Sequence, residues 1–319
     1  MVQLLSVGLR NNKFELFRLS IDGNIRVVTR DEILNILLDG RKIHGIRIDS
    51  NRNIRVDKDV RRFNINNRKE VQNKRKENLN KQLEYENTAI KIRDTLKNSK
   101  DTLVFHGSLS GIHGNINVNC NKNECDFGPG FYTGEMIEQA EGRVSNTKES
   151  IIYAFKLDMN KVKSEKIAVY KFNDTILWAI FIGYNRKKID LSDYKYLKAA
   201  LDKILQYDII VGLIADDKIA DTYNSFCAGL ISDVALNECI KYVKYGNQIV
   251  FKTDKSLMDI SKLAEYKLVG SLKNNSIQWS RDAKHNMDSN IDRIIQDCYG
   301  KGRLIGKCLE AYNEKFKRK

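Results

Sequence analysis

Apolar and polar residues alternate along short stretches of residues 1–65, which is the pattern of half-buried β-strands. Two such stretches, "KFELFRLS" and "GNIRVVT", meet at "IDGN", whose Asp-Gly pair is typical of a hairpin turn. The next stretch, "RDEILNILLDG", has apolar residues at helical spacing, acidic residues in its first turn and Gly40 as a stop signal. Because "KIHGIRIDSNRNIRVD" indicates a second hairpin, the pattern predicts a small ββαββ domain.

Residues 66–98 contain no proline or glycine and are rich in charge. Their sparse apolar residues include Leu79, Leu83, Ile90 and Ile92, which predicts a mostly solvated helix that links two domains. Partial disorder of this linker is the alternative interpretation.

Short apolar strands alternate with helical stretches over residues 99–270, which predicts a larger α+β domain. The predicted strands are "TLVFHG", "SIIYAFKL", "KIAVYKF", "YDIIVGLIA" and "NQIVFKT", and the predicted helices include "GEMIEQAEGRV", "DYKYLKAALDKIL" and "DVALNECIKYV". Residues 271–319 are predicted to form a basic tail of two helices, which break at "YGKG".

With 42% hydrophobic residues, the chain can bury a substantial core. It has no run of about 18 apolar residues, and its first residues do not resemble a signal peptide. We therefore expect a cytoplasmic protein that has no membrane partner.

The six cysteines are scattered, which fits reduced thiols in the cytosol. Cys120, Cys125 and His113 lie close together in sequence, but their spacing matches no common zinc pattern and a fourth ligand is missing. We therefore predict that the protein uses no metal.

The net charge of +14 is unevenly distributed along the chain. Residues 1–65, 66–97 and 271–319 carry net charges of +5, +4 and +5, so the middle of the chain is neutral. Basic flanks favour polyanionic partners such as nucleic acid or an acidic protein surface. The alternative is that these flanks serve solubility alone.

Candidate chemistry begins with "LVFHGS", residues 103–108, where an apolar strand ends in a histidine and a glycine. This order places the His106 imidazole at the rim of a sheet, and Gly107 allows close approach of a ligand to the main chain. A structural or simply exposed histidine is the alternative interpretation.

The only proline of the chain, Pro129, lies in "DFGPGFYTG", between two glycines. Proline restricts one backbone angle and the glycines allow tight curvature, so this loop is predicted to aim Phe131 and Tyr132 from a short strand that ends at Gly134. The alternative is an ordinary loop with two core aromatics.

The stretches "FHGS", "DFGPGFYTG", "QYDIIVGLIADD" and "NQIVFKT" occur in this order and resemble the ADP-ribosyltransferase superfamily. In particular, the region from about residue 101 to 260 is similar to a bacterial subfamily catalogued as a domain of unknown function. The resemblance implies a split β-sheet core with helices, and NAD as the substrate.

The resemblance also implies roles for individual residues. His106 would hydrogen-bond the ribose next to nicotinamide, the main chain of Gly107 would hold the nicotinamide amide, and Tyr132 would stack on the nicotinamide ring. The implied NAD-binding set is completed by Ser108, Phe131 and Thr133.

The last motif departs from the superfamily's pattern, because Gln248 stands where a glutamate is expected. Gln248 is still expected to contact the ribose, although an amide can neither act as a base nor carry the missing charge. Asp216 can supply the carboxylate, although Asp216 and Asp217 also fit a solvated turn or a helix cap. Asp126 is expected to cap the turn before Phe127, and contact with the acceptor is the alternative.

The sequence therefore predicts an intracellular mono-ADP-ribosyltransferase that modifies a protein or a nucleic acid. A toxin, a phage-defence effector or a counter-defence factor fits this prediction, with an antitoxin or nucleic-acid partner bound through the basic flanks. The alternatives are an NAD glycohydrolase and a degenerate domain that binds nucleic acid or another partner without catalysis.

Overall fold

The computed structural model describes the chain except at residues 1, 11–12, 52, 65–67, 120–124, 148–149, 216–218, 242–245 and 319. The chain divides into two compact units, Met1–Leu83 and Glu84–Lys319. Both units combine helices with β-sheets, so the predicted α+β class is confirmed. Each helix in the described part of the chain is too short or too polar to span a membrane.

The elements of the first unit are β1 (Val2–Arg10), β2 (Lys13–Ile21), β3 (Asn24–Thr29), α1 (Arg30–Leu38), β4 (Ile46–Ile48), β5 (Ile54–Val56) and β6 (Arg61–Asn64). The strands form a four-stranded sheet in the order β3-β2-β1-β6 and a separate hairpin, β4-β5. The ββαββ prediction is therefore incomplete, because it lacks β1 and β6. Register shifts in β1, after Leu4 and after Gly8, interrupt the alternation that identifies a strand in sequence.

Local signals explain the elements that the pattern did predict in the first unit. Asp22 and Gly23 both have positive φ, as a tight hairpin turn between β2 and β3 requires. Helix α1 begins with a capping box, in which the Thr29 hydroxyl accepts from the Glu32 amide and the Glu32 carboxylate accepts from the Thr29 amide. Just after this helix, Gly40 takes a positive φ.

Helix α2 (Arg68–Lys97) runs through the division between the two units. The other elements of the second unit are β7 (Leu103–Ser108), β8 (Phe131–Gly134), α3 (Ile137–Val144), β9 (Ile151–Leu157), α4 (Met159–Ser164), β10 (Val169–Lys171), α5 (Thr175–Asn185), α6 (Lys195–Ile204), β11 (Ile209–Leu213), α7 (Ala220–Cys227), α8 (Asp233–Lys241), β12 (Asn247–Phe251), α9 (Asp254–Leu257), β13 (Ile260–Lys267), α10 (Gly270–Asp297) and α11 (Ile305–Lys317).

The strands of the second unit form a seven-stranded sheet in the order β10-β11-β12-β8-β7-β9-β13. Its two halves are joined weakly. Strand β8 pairs with β12 along its whole length, and β7 pairs with β9 from Leu103 to Ser108. In contrast, β7 and β8 are paired only at Phe105 and Gly134. The strands therefore separate beyond this pair.

Helix α5 lies in the largest hydrophobic core, and its residues 176–183 are all buried. The apolar residues of α5 surround the helix instead of forming one stripe, so its sequence lacks the amphipathic period that identifies a surface helix. The predicted basic tail does consist of two helices, α10 and α11. Both helices contribute buried residues to this core, including Ile294, Cys308 and Leu309.

The two faces of the seven-stranded sheet carry different cores. We call them the α5 face, on which Tyr132 and Val250 pack with α5, and the Phe155 face, on which Phe131, Phe155 and Phe251 pack together. Because side chains alternate along a strand, neighbouring residues of β8 belong to opposite faces. This alternation determines which predicted site residues can meet.

Candidate functional site

The opening between β7 and β8 begins just after their single pair, Phe105 and Gly134, and Gly107 lies two residues beyond Phe105. The Leu157 amide donates to the Thr102 carbonyl at 2.9 Å, which fixes the alternation of hydrogen bonds between β7 and β9. In an antiparallel ladder, alternate residues of a strand direct their main-chain groups to opposite neighbours. Phe105 and Gly107 therefore direct their N–H and C=O groups toward β8. Because the strands have separated at Gly107, its N–H and C=O face the opening.

Gly107 also has a packing role. A Cβ at this position would lie 2.3 Å from the Ala140 carbonyl oxygen and 3.1 Å from a Val144 methyl group, so only glycine lets α3 approach β7 this closely. Arg143 lies in the same turn of α3 and is exposed. Its guanidinium has no acidic partner among the described residues, and it therefore leaves a positive charge near the opening.

His106 lies on the Phe155 face, where its ring centroid is 4.8 Å from that of Phe131. Its Nδ1 is 2.7 Å from the Tyr132 carbonyl oxygen. A carbonyl can only accept, so Nδ1 carries the hydrogen and Nε2 keeps a lone pair. Burial lowers the pKa of His106, the hydrogen bond to the Tyr132 carbonyl partly opposes this shift, and the charge of Arg143 adds to it. The imidazole is therefore a neutral acceptor at pH 7.

The loop before β8 closes around the hydroxyl of Tyr132. The Phe127 amide donates to this hydroxyl at 2.9 Å, and the hydroxyl donates to the Gly128 carbonyl at 2.7 Å. Gly128 has a φ of +72°, and a Cβ on Gly130 would lie 2.6 Å from a Val250 methyl group. These glycines allow the tight path that fixes the half-buried Tyr132 ring. Burial raises the pKa of the Tyr132 phenol, so the hydroxyl stays protonated.

The side chains of His106 and Tyr132 lie on opposite faces of the sheet. The imidazole reaches the main chain of Tyr132, whereas the phenol lies on the α5 face with its hydroxyl held by its own loop. The structure therefore brings the two residues together at the opening without direct contact between their rings.

The other predicted ligand-binding residues differ in accessibility. Phe131 is 3% exposed and packs against Phe155 and Phe251, so it belongs to the core. Thr133 is also buried, and its hydroxyl donates to the Ile249 carbonyl at 2.8 Å. Ser108, at the end of β7, is partly exposed on the same face as His106. Asp216 and Asp217 lie outside the described residues.

Gln248 belongs to a buried polar cluster on the α5 face. It is 5% exposed, and its Nε2 donates to Asp126 Oδ2 and to the Leu213 carbonyl, each at 3.0 Å. Asp126 Oδ1 accepts two hydrogen bonds from Arg186, one of them from Nε at 2.8 Å. We call Asp126, Arg186 and Gln248 the amide-carboxylate cluster. Asp126 thus binds distant segments instead of capping its own turn, which corrects the sequence-based expectation.

A second cation, Lys252, lies one residue after β12 and holds the same loop. The Lys252 ammonium donates to the Phe127 carbonyl, and burial lowers the pKa of Lys252 to about 8. Sequence reasoning missed Arg186 and Lys252, because they lie 60 and 125 positions from their partners and no local motif marks them.

Among the described residues, neither a metal-binding cluster nor a cavity of about 780 Å³ coincides with this site. The described residues contain no group of three or more histidine, cysteine, aspartate or glutamate residues that could hold a metal ion. A cavity of about 780 Å³ is lined by residues of the 112–119 loop and by Tyr153, Phe155 and Lys262, but not by His106 or Tyr132. The opening at Gly107 is therefore separate from that cavity.

The fold and the site define a class of α+β protein whose central sheet opens between two strands beside a neutral imidazole, a fixed phenol and a buried amide. A family model described as "Protein of unknown function (DUF3990)" matches residues 102–261, which is half of the chain. The chain therefore belongs to this family. The matched region includes β7, β8 and β12, and thus the whole opening. No curated protein and no solved structure matches the chain.

Proposed function

We propose that this protein is a mono-ADP-ribosyltransferase that transfers ADP-ribose from NAD to a protein or nucleic acid inside the cell. The observation that carries the proposal is the separation of β7 and β8 at Gly107, which leaves a main-chain donor and acceptor facing the opening. The resemblance of "FHGS" and "DFGPGFYTG" to ADP-ribosyltransferase motifs adds support, because these stretches form the two sides of that opening.

Each side of the opening suits one part of NAD. The N–H and C=O of Gly107 complement the carboxamide of nicotinamide, which has one acceptor and one donor group. The Tyr132 ring is held in one orientation by its hydroxyl bonds, and an aromatic face suits the flat cationic base. His106 Nε2 can accept from a ribose hydroxyl, because Nδ1 already donates to the Tyr132 carbonyl.

The proposed reaction breaks the bond between the nicotinamide nitrogen and the ribose C1′. The bonding electrons pass to the nicotinamide ring, which leaves neutral, while positive charge grows on the ribose. An acceptor nucleophile then forms the new bond to C1′ and releases its proton to solvent. Acceptor atoms near the ribose stabilise this charge in the transition state. Gln248 and His106 are the described residues that we assign to this role.

The charge distribution suggests where the macromolecular acceptor binds. The three flanking segments carry all of the net charge of +14, whereas residues 98–270 are neutral. A basic periphery attracts nucleic acid or a protein bound to it, and this attraction weakens with added salt. A toxin or a phage-defence effector is the kind of protein that would use this arrangement.

The test is the release of nicotinamide from NAD by the purified protein, with and without cell extract. We expect His106→Ala and Tyr132→Ala to lower the rate at least tenfold. His44→Ala and Tyr299→Ala are matched controls, because His44 is exposed in the first unit and Tyr299 is 90% exposed. No release in any extract, or equal rates for His106→Ala and the wild type, would rule the proposal out.

The amide at position 248 favours a second candidate, a domain that binds a ligand or nucleic acid without catalysis. Salt-dependent binding of RNA or DNA together with no NAD binding would support this candidate. Free ADP-ribose without a labelled macromolecule would instead identify an NAD glycohydrolase. Labelled NAD in extract, followed by separate nuclease and protease digestion, distinguishes all three.

A further inference from the structure

The amide of Gln248 has only one orientation that its partners permit. Its Nε2 lies 3.0 Å from both Asp126 Oδ2 and the Leu213 carbonyl oxygen, and neither partner can donate. Both amide hydrogens are therefore used. The remaining polar atom is Oε1, which receives no hydrogen bond from the described residues.

Asp126 is fixed even more firmly than Gln248. Its carboxylate accepts from Arg186 and Gln248 and makes a longer contact of 3.4 Å with the Ala215 amide. Its main-chain carbonyl accepts from Asn185 Nδ2 at 2.9 Å. The residue is 9% exposed, so Asp126 can influence a ligand only through the residues that it holds.

Gln248 lies in the sheet next to the opening, so Asp126 can affect the opening by holding Gln248. Gln248 pairs with Gly134, and Gly134 forms the single pair with Phe105 that precedes the opening. Gln248 and Tyr132 also share the α5 face, because they occupy diagonal positions of adjacent strands. Gln248 therefore lies diagonal to Tyr132 on the same face of the sheet, and it pairs with the residue at the junction of β7 and β8.

From these contacts we infer that Asp126 is a positioning residue of the NAD site. It orients Gln248 so that Oε1 faces the ribose next to nicotinamide as a neutral acceptor, at the position where the sequence resemblance leads us to expect a carboxylate. Arg186 holds the Asp126 carboxylate in place through hydrogen bonds to Oδ1. This inference rests on the proposed use of NAD, and the experiment below separates the two.

Asp126→Asn is the sharpest perturbation of this arrangement. Arg186 would hold the asparagine oxygen, so the new NH₂ group would face the NH₂ group of Gln248. Two donors repel each other, and we expect the Gln248 amide to turn its NH₂ group toward the ribose. The variant therefore changes hydrogen bonding and removes the charge that pairs with Arg186, while it preserves the shape of the side chain.

The double variant Asp126→Asn/Gln248→Glu reverses the roles of the two residues. The asparagine NH₂ group then donates to the carboxylate introduced at position 248, and the net charge of the pair is unchanged. Recovery should be partial, because the Leu213 carbonyl loses its donor. Asp202→Asn is the matched control, since Asp202 binds Tyr184 and Lys198 outside the opening.

Two readouts test the inference. In protein labelled with ¹⁵N-glutamine, the Gln248 side-chain hydrogens should exchange slowly, and Asp126→Asn should speed their exchange at least tenfold. In nicotinamide release, Asp126→Asn should lower kcat at least tenfold with KM within about threefold of the wild type. The double variant should exceed both single variants in kcat at least threefold, and Asp202→Asn should match the wild type.

Each outcome has a defined meaning. The inference would be overturned if the Gln248 side-chain hydrogens exchange rapidly in the wild type. It would also be overturned if a folded Asp126→Asn protein keeps the wild-type exchange rate and kcat. A double variant that is no better than the single variants would also overturn it, because the cluster would then be purely structural. If the exchange rate of the Gln248 side-chain hydrogens depends on Asp126 but the wild type neither binds nor cleaves NAD, the proposed function is wrong. The role of Asp126 in orienting Gln248 would still stand.

Discussion

The loop before β8 should lose much of its stability when the Tyr132 hydroxyl is removed. Tyr132→Phe keeps the aromatic ring but deletes the partner of the Phe127 amide and of the Gly128 carbonyl. Each hydrogen bond contributes about 0.5–1.5 kcal/mol net, so the two together contribute about 1–3 kcal/mol. Because Phe127 is fully buried, its amide gains no water in exchange. We therefore expect a loss in the upper half of this range, about 2–3 kcal/mol.

Urea unfolding of the wild type, Tyr132→Phe and Tyr299→Phe measures this effect. A loss of about 2 kcal/mol would lower the ratio of folded to unfolded protein roughly 30-fold and shift the midpoint at an unchanged slope. Tyr299 is 90% exposed, so its variant should match the wild type. If the shift of the Tyr132→Phe midpoint corresponds to a stability loss below about 0.5 kcal/mol, the loop does not depend on this hydroxyl and the prediction is wrong.

Three further predictions concern the opening and its supports. Gly107→Ala should destabilise the protein by about 1–3 kcal/mol in thermal or urea unfolding, since its Cβ would collide with the Ala140 carbonyl; unchanged stability would show that α3 can move away. The pKa of His106 lies below its ordinary value of 6.5 in the folded state, so the unfolded state binds this proton first. The stabilisation that depends on neutral His106 is complete above pH 6.5 and decreases as the pH falls toward the folded-state pKa. The thermal midpoint of His106→Asn should therefore lack this part of the decrease in acid. Arg186→Met should cost about 3 kcal/mol in urea unfolding, because it leaves the Asp126 charge almost unpaired in a mostly buried site; a loss below about 1 kcal/mol would show that water replaces the guanidinium.

Strands β7, β8 and β12 could be predicted from sequence because short apolar runs end at glycine or polar residues. Helix α5 and strands β1, β6 and β13 were missed, and the structure gives physical reasons for most of them. The apolar surface of α5 has no polar side, and β1 contains register shifts. Strand β13, "ISKLAEYK", is an edge strand whose exposed positions break the alternation.

The residues at the opening between β7 and β8 could also be predicted from the sequence. A histidine and a glycine at a strand end, and a glycine-rich loop before an aromatic pair, indicated His106, Gly107 and Tyr132. Strand alternation alone also implies that Phe131 and Tyr132 point to opposite faces, although it cannot tell which face is buried. The amide-carboxylate cluster was not predictable, because its members meet only after β12 and α5 pack against the loop that contains Asp126.

The most direct test of the central claim is a crystal structure of the protein soaked with nicotinamide or NAD. We expect the carboxamide to hydrogen-bond the N–H and C=O of Gly107 while the pyridine ring lies against Tyr132. Nicotinamide bound elsewhere, or an opening that stays empty at saturating ligand while Gly107 pairs with β8, would contradict the proposed role of this site.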